Sequence, residues 1–357
     1  MMAFSLLLSF KVMISCLFAL LSSSTWAFTP PTNYAARPNP VPTALEMSVI
    51  ASVSNKARRT RDSILSRERS SDELKIGIAG FYDRSSKLWE SVWGEHMHHG
   101  YYVPANRTDH VQAQIDLIDE ILAWSGANSD EIKSVVDVGC GIGGSSRHIA
   151  KKYNCSNVQG ITLSPYQAAR GNELAASQGL SDTTSFQVAD ALNMPFDSDS
   201  FDLVWSLESG EHMPDKTKFV SELFRVCKPG GRIVIVTWCH RDLNDGEESL
   251  TKKEIKLLRK INRAYYLPEW CSVNDYVELM KQQGATDIQR EDWSHIIAPF
   301  WRAVIRSSMN IKSVYGLLRS GFSTQRGAYA MFLMLRGFQM GLIKFGLLTC
   351  SKPQNKH

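Results

Sequence analysis

The chain has 357 residues, of which 43% are hydrophobic and 21% are charged, a balance typical of a globular protein with a sizeable core. Its formal charge of +4 comes from residues 1–70, which contain eight Lys/Arg and three Asp/Glu, so the rest of the chain carries about −1. The basic balance is therefore no argument for nucleic-acid binding by the folded part. The seven cysteines are irregularly spaced and include no C-x-x-C pair, so we expect neither a disulfide framework nor a metal site.

The first 27 residues are typical of a secretory signal peptide. Lys11 precedes the apolar run Val12–Leu21, which is too short to span a bilayer. Small residues follow at Thr25 and Ala27, the two positions that a signal peptidase reads. The alternative interpretation is an N-terminal membrane anchor.

Residues 28–70 have the composition of a transit peptide. They are rich in Ser, Thr, Pro, Ala and Arg and contain only three acidic residues, which predicts a disordered segment. The junction Trp26-Ala27-Phe28-Thr29-Pro30 resembles the two-part presequence of algae whose plastids derive from a red alga. That resemblance implies transport to the plastid by a signal peptide followed by a transit peptide.

Ordered structure is expected from about Asp72, with an aromatic-rich segment that extends to Tyr102 and a helix over Asp109–Trp124. Strand and helix patterns then alternate. The strands are expected at Ser134–Val138, Val158–Leu163, Ser185–Ala189, Phe201–Ser206 and Arg232–Trp238, and the helices between them at Ser145–Tyr153, 165–178 and Lys216–Val226. This alternation predicts an α/β fold of the Rossmann-like kind, with a mostly parallel seven-stranded sheet and helices on both faces.

A turn is expected at Lys228–Gly231, before the last of those strands. After Trp238 the regular alternation of strands and helices ends. Helices are expected at Glu247–Asn262 and Asn274–Gln283, a strand at Asp287–Trp293, a mostly helical stretch at Phe300–Leu342, and a final strand at Ile343–Cys350. We therefore expect one catalytic domain over residues 71–352, with a nucleotide-binding core at 134–238 and a helical substrate cap at 240–342.

A glycine-rich loop follows the first of those strands. The run Gly139-Cys140-Gly141-Ile142-Gly143-Gly144 leads from Val138 into a helix, and glycines there allow a ligand to approach the main chain closely. Because the run matches both G-x-G-x-G and G-x-G-x-x-G, a nicotinamide-binding loop is the alternative to an S-adenosylmethionine loop.

Three features favour S-adenosylmethionine. Asp137 lies where a carboxylate can meet the amino end of methionine, whereas a pyrophosphate would be repelled there. A nicotinamide site usually needs an acid at the end of the second strand, but Thr162 is found instead. Asp190 closes the next strand, where methyltransferases of this fold place an acid that bonds the adenine amino group. The predicted cofactor residues are Asp137, Gly139, Cys140, Gly141, Gly143, Thr162, Leu163, Asp190, Ala191, Ser206 and Tyr82.

Motifs along most of the chain resemble those of the γ-tocopherol C-methyltransferase family. The matching segments are Phe81–Asp83, Trp93–Gly100, Val135–Arg147, Ile161–Pro165, Phe186–Ala191, Phe201–Lys216, Pro229–Arg241, Ala298–Trp301 and Lys344–Cys350. The resemblance implies methylation of the aromatic ring of γ- and δ-tocopherol in plastids, at the inner envelope or plastoglobules. Relatives that methylate sterols or alkaloid nitrogens share part of the pattern, so another acceptor, such as a prenylated quinol, stays open.

The implied reaction needs a base, because a ring carbon beside a phenolic hydroxyl is a poor nucleophile until that hydroxyl, with a pKa of about 10, loses its proton. Glu208, Glu211 and His212 follow a strand at the carboxyl edge of the sheet, where open α/β sheets bind ligands. We rank Glu208 first and His212 second. The alternative for Glu208 is a carboxylate that bonds backbone N–H groups and shapes the loop.

The aromatic-rich segment before Tyr102 supplies further candidates. His98 is the third possible base in a cluster over His96–His99, whose alternative role is structural hydrogen bonding. Tyr82, Trp89 and Trp93 could cover the adenosine or the substrate ring, or belong to the core.

The Met-rich stretch Phe300–Leu342 could cover the lipid tail of a lipophilic phenol, form an ordinary cap, or contact a membrane surface. Peripheral membrane contact is expected and nucleic acid is not. A cofactor-binding scaffold without catalysis is the remaining hypothesis, and the intact glycines, Asp137, Asp190 and Glu208 argue against it.

Overall fold

The computed structural model describes residues 69–300 and 322–354. The signal peptide and almost all of the transit peptide expected above lie outside the described residues. The strands are β1 (Ser134–Val138), β2 (Asn157–Thr162), β3 (Thr184–Val188), β4 (Phe201–Leu207), β5 (Cys227–His240), β6 (Thr286–Asp292) and β7 (Ile343–Ser351). They form one seven-stranded sheet.

The strand order is β3-β2-β1-β4-β5-β7-β6. The pairs β1–β2, β2–β3, β1–β4 and β4–β5 are parallel, and β7 runs antiparallel to both β5 and β6. The expected Rossmann-like, mostly parallel sheet is thus confirmed. Since β1 has β2 on one side and β4 on the other, the strand order reverses at β1, which is where open α/β sheets form a ligand crevice beyond the carboxyl ends.

The helices surround this sheet. They are α1 (Ser71–Trp93), α2 (His110–Trp124), α3 (Gly144–Tyr153), α4 (Pro165–Ser177), α5 (Lys216–Val226), α6 (Lys252–Tyr265), α7 (Val273–Gln282) and α8 (Phe322–Gln339). Side-chain caps that satisfy free backbone N–H groups fix the starts of several of them, although α3 begins after Gly143 without one. Ser164 caps α4 with Pro165 in the first turn, and Asp109 and Asp215 cap α2 and α5.

The core has two layers because alternate residues of each buried strand point to opposite faces of the sheet. On one face, Val135 of β1 packs with α2, α3 and α6, whereas Val136 and Val138 pack with α5 and α7 on the other. Helices therefore cover both faces, as the alternating strand and helix patterns predict.

One expectation needs correction in the second half of the chain. The predicted turn at Lys228–Gly231 does not precede β5, because Cys227 already pairs with Phe201 and the residues up to Arg232 form a bulge inside the strand. The strand expected at Asp287–Trp293 is confirmed as β6, which pairs with β7 in the main sheet. The first part of the helical stretch, residues 301–321, lies outside the described residues. Within the described ranges, no helix is both long enough and apolar enough to cross a membrane.

Candidate active site

The glycine loop leaves β1 in a conformation that needs glycine. Gly139, Gly141 and Gly143 have φ angles of +85°, +56° and +80°. A Cβ on Gly139 would lie 2.3 Å from Cβ of Ser209, and one on Gly143 would lie 2.1 Å from Cζ of Phe186. The loop between β1 and α3 therefore needs glycine both for its backbone angles and for its close packing against Ser209 and Phe186.

Asp137 lies at the base of this loop and is almost completely buried. Its Oδ2 accepts a hydrogen bond of 2.6 Å from the hydroxyl of Ser146. Burial raises the pKa of this carboxyl to about 7, against the opposing effect of the Ser146 hydrogen bonds. A buried carboxylate whose described side-chain partner is a neutral hydroxyl would be stabilised by a cation, so the site fits the ammonium group of S-adenosylmethionine.

A cavity opens beside the glycine loop at the carboxyl ends of β1 and β2. It is bounded by Ala189–Ala191 after β3, by His212–Pro214 at the end of the 3-10 turn that follows β4, and by Leu74, Lys75 and Ile78 of α1. Five predicted cofactor residues meet on its wall: Gly139, Thr162, Leu163, Asp190 and Ala191. The chain thus brings together residues from separate segments.

Helix α1, which contains the predicted cofactor residue Tyr82, forms one wall of the cavity through Leu74, Lys75 and Ile78, which were not predicted. Lys75 Nζ forms an ion pair of 2.7 Å with Oδ2 of Asp190, while Oδ1 of Asp190 accepts a 3.0 Å bond from the Leu192 N–H. Both side chains of the ion pair are about one-third exposed. The sequence signals for this helix were its aromatic residues, and they do not indicate that Lys75 reaches Asp190.

The Thr162 side chain is engaged inside the protein. Its hydroxyl donates to Oε1 of Gln167 at 2.7 Å and accepts from the Ser164 N–H at 3.2 Å. The Ser164 hydroxyl in turn donates to Asp83 of α1. A carboxylate from α1 therefore reaches the end of β2, where the sequence itself lacks an acid.

Cys140 and Ser206 are buried in packing and hydrogen-bond contacts. Cys140 packs with Phe186, and the Ser206 hydroxyl lies 2.7 Å from that of Ser209, which donates to the Val138 carbonyl at 2.6 Å. These contacts fix the loop against β4. Direct cofactor contact by either side chain stays a prediction.

Glu208 follows β4 and holds the histidine segment in place. Its Oε1 accepts from the His99 backbone N–H at 2.6 Å, and its Oε2 accepts from His99 Nδ1 at 2.7 Å and from the Trp238 indole at 3.2 Å. Its φ of +53° is unusual for a residue other than glycine. Burial would raise the pKa of Glu208, but the charge and hydrogen bonds of His99, with His98, lower it overall.

The role of Glu208 as the base stays a prediction, and these contacts weigh against it. Three donors already occupy its two oxygens, and a carboxylate with a lowered pKa is a poor proton acceptor. The alternative role, a carboxylate that bonds backbone and shapes the loop, agrees with the structure. Because the carboxylate can only accept, Nδ1 of His99 carries the hydrogen of this contact.

Glu211 and His212 lie in the 3-10 turn Gly210–His212. Burial and the nearby Glu208 raise the pKa of Glu211 to about 7, and Thr237 donates to it at 2.8 Å. His212 Nε2 lies 3.0 Å from the Tyr82 hydroxyl, which joins α1 to the cavity wall. Burial lowers the pKa of His212 to about 4, helped by Lys216, so the imidazole is neutral at physiological pH.

His98 is also buried and neutral, since burial lowers its pKa. Its Nδ1 donates to the His99 carbonyl at 2.7 Å, and the His96 and His98 carbonyls both accept from the Gln114 side-chain amide. The segment is thus anchored to α2 on one side and to Glu208 on the other. His99, which the ranking of candidate bases left out, is the member of the cluster that contacts Glu208.

Comparison with known proteins places this geometry in a family. The model of a methyltransferase domain matches residues 136–235. The chain is 54% identical to the tocopherol O-methyltransferase, chloroplastic, of Arabidopsis thaliana over 80% of this chain and 84% of that protein. It is 58% identical to a protein of Oryza sativa subsp. japonica described as a probable tocopherol O-methyltransferase, over 79% of each chain.

Two further comparisons show the range of the fold. The chain is 38% identical to ajmaline N-methyltransferase of Rauvolfia serpentina, over 78% of this chain and 99% of that protein. A solved geranyl diphosphate methyltransferase with sinefungin matches with a TM-score of 0.63 and 21% identity, over 78% of this chain and 99% of that chain. With its glycine loop, its cavity and these relatives, the chain belongs to the tocopherol methyltransferase family and uses S-adenosylmethionine as its cofactor.

Proposed function

We propose that the protein methylates the aromatic ring carbon of γ-tocopherol to give α-tocopherol, and of δ-tocopherol to give β-tocopherol, in the plastid. The observation that carries the proposal is the Glu208–His99 pair at the carboxyl end of β4. Trp238 and Phe300 stack edge-on against the His99 ring, with centroid distances of 4.9 and 4.4 Å. An apolar, aromatic surrounding with one polar pair suits a phenolic ring.

Two residues of this chain, His99 and Glu208, would activate the phenol. His99 accepts the phenolic proton, since an imidazole is closer in pKa to a phenol than a carboxylate is. Glu208 holds the ring of His99 and stabilises the imidazolium that forms, as a carboxylate does for a catalytic histidine elsewhere. The ortho carbon gains the methyl group and then loses its hydrogen as a proton to solvent, and the phenolic oxygen takes back the proton held by His99. S-adenosylmethionine, when bound, supplies the methyl group on a sulfonium.

The relatives support a lipophilic phenol as the acceptor class. Besides the two plant tocopherol methyltransferases, the chain is 36% identical over 76% of its length to a Synechocystis protein named 2-methyl-6-phytyl-1,4-hydroquinone methyltransferase. A second candidate is a different acceptor on the same fold, such as a prenylated quinol, a sterol or an amine. The identity to ajmaline N-methyltransferase supports the amine within that group, and the Synechocystis relative supports the prenylated quinol.

A panel assay tests the proposal. The purified protein is incubated with labelled S-adenosylmethionine and γ-tocopherol, δ-tocopherol, a prenylated quinol, a sterol and an amine. We expect label in the tocopherols, on a ring carbon in the NMR spectrum of the product, with the phenolic hydroxyl intact. Label on the oxygen, as a methyl ether, would show O-methylation instead, and label only in another acceptor would refute the tocopherol proposal.

Cofactor binding is expected to release a proton that comes from Asp137. With its pKa raised to about 7, this carboxyl is largely protonated below that pH in the free protein, and a bound ammonium group would lower its pKa. Affinity should therefore rise with pH up to about 7 and then level off. Calorimetry in buffers of different ionisation enthalpy measures the released proton. Asp137→Asn should abolish both the proton release and the pH dependence of affinity. If the variant keeps both, Asp137 does not bind the cofactor.

Adenine recognition is expected to depend on Asp190 more than on its partner Lys75. Asp190→Ala removes the proposed acceptor for the adenine amino group and should raise the dissociation constant about tenfold, the value of one hydrogen bond to a charged group. Lys75→Met removes only a partly exposed ion pair and should change it less than about threefold. Calorimetric titration of both variants checks the order; equal effects would place the adenine elsewhere.

Plastid transport is expected to need both parts of the presequence. A fluorescent protein fused to residues 1–70 should enter the plastid of a host with a red-lineage complex plastid, and Phe28→Ala should stop it outside the inner envelopes. Microscopy of the two fusions checks this. Entry after deletion of Met1–Ala27 would contradict the two-part interpretation.

A further inference from the structure

We infer that the exposed face of α6 is a docking surface for anionic lipid headgroups. The surface is defined by five cations, Lys252, Lys253, Lys256, Arg259 and Lys260, and is called the α6 basic face below. This inference rests on the proposed function and extends it. A surface of this kind gives an enzyme for a lipophilic phenol a way to reach the membrane in which that phenol is dissolved.

The five cations lie together because of the helical period. At 3.6 residues per turn they occupy an arc of about 120° around the helix axis. All five are exposed or half-buried in the structure, and Leu257, Leu258 and Ile261 occupy the opposite, buried side. The helix is therefore strongly amphipathic with a positively charged outer face, a pattern typical of helices that lie on anionic membranes.

Among the described residues, no carboxylate neutralises the α6 basic face. The one acidic residue of the helix, Glu254, is buried and bonded to Arg241 and to the helix start at Thr251. Within residues 69–300 and 322–354, none of the five cations forms an ion pair. Because residues 71–357 carry about −1 in total, the rest of the domain is acidic and the positive charge is concentrated here.

The buried side of α6 packs into the core layer that contains the proposed acceptor site. Leu257 and Leu258 are in the same apolar cluster as Trp238 and Phe300, whose rings stack against His99. A membrane bound to the outer face of α6 would thus lie on the side of the sheet that holds the aromatic residues around His99. That placement favours a lipid surface over nucleic acid or an acidic protein, neither of which would carry a lipophilic phenol.

Vesicle binding by the full chain tests the inference. The probes are vesicles of phosphatidylcholine alone and of phosphatidylcholine with phosphatidylglycerol, and co-sedimentation is measured at low and high salt. We expect binding to the anionic vesicles that weakens with salt. The quadruple change of Lys252, Lys253, Lys256 and Lys260 to Gln should lower partitioning at least about tenfold.

A matched variant distinguishes the contribution of this face to vesicle binding from the contributions of net charge and of the basic N-terminal extension. It carries the same Lys→Gln change at four exposed lysines elsewhere, Lys151, Lys152, Lys218 and Lys281, and should partition within about twofold of the unmodified chain. Melting temperature and activity on detergent-dispersed acceptor should be unchanged in both variants, so this test does not depend on which acceptor is correct. Equal losses in the two variants, salt-independent binding to neutral vesicles, or tighter binding to nucleic acid than to anionic vesicles would overturn the inference.

Discussion

Replacing Glu208 by Gln is expected to lower kcat by about a hundredfold or more, while cofactor affinity stays within about threefold. The glutamine amide offers one accepting oxygen where the carboxylate accepts from the His99 N–H, His99 Nδ1 and the Trp238 indole. Its NH2 group favours the tautomer of His99 that carries its hydrogen on Nε2, which cannot accept a proton there. Loss of catalysis through the wrong tautomer is the known effect of the equivalent change in a carboxylate–histidine pair.

Three measurements identify the mechanism of this loss. Nitrogen NMR of the His99 ring should show the hydrogen moving from Nδ1 to Nε2. Raising the pH should partly restore turnover, because free phenolate then replaces the enzyme-bound one. Since the pKa of Glu208 is lowered in the folded state, the wild-type protein loses stability as the pH falls below the ordinary carboxyl range, and the variant should lack this dependence.

Glu211→Gln is the matched control for this prediction. Glu211 is equally buried, lies three residues further on and has a pKa raised to about 7, so a neutral amide resembles its protonated form. We expect turnover within about threefold of wild type. His212→Asn should also cost less than Glu208→Gln. Normal turnover and an unshifted pH profile in Glu208→Gln would move the base to His212 or His98 and leave Glu208 a purely structural residue.

Replacing Gly141 by Val is expected to weaken S-adenosylmethionine binding at least about thirtyfold without unfolding the domain. The φ of +56° is strained for a β-branched residue, and the new Cβ would already lie 3.2 Å from Cγ of Met97. The loop must then move away from the position that presents its N–H groups to the cofactor. Calorimetry measures the affinity and thermal unfolding measures the stability.

Gly179→Val controls for backbone strain alone. Gly179 has a φ of +71°, and a Cβ added to it would meet no atom within 4 Å, so the substitution introduces the same strain away from the site. It should lower the melting temperature but leave cofactor affinity unchanged. If Gly141→Val binds the cofactor as well as Gly179→Val does, the cofactor is not held by the glycine loop.

The sequence predicted the sheet because its signals are local. Short apolar runs, a Ser-Pro helix start at Ser164 and the glycine run each involve neighbouring residues, and their periods determine strand or helix directly. The ends of α2, α4 and α5 accordingly lie within one or two residues of expectation. The start of β5 was missed because its first pairing, Cys227 with Phe201, depends on a bulge opposite another strand.

By itself, then, the sequence determined the fold class, the position of the cofactor loop and the set of groups able to accept a proton. Only the tertiary structure decided which of those groups contact one another. Glu208 and His99 are 109 residues apart and meet because β4 ends beside the segment that α2 anchors. Likewise, Lys75 reaches Asp190 only because α1 folds back over the carboxyl ends of the strands. Contacts between distant segments depend on how whole elements pack, and the periodicity of a segment does not indicate which other segment it contacts.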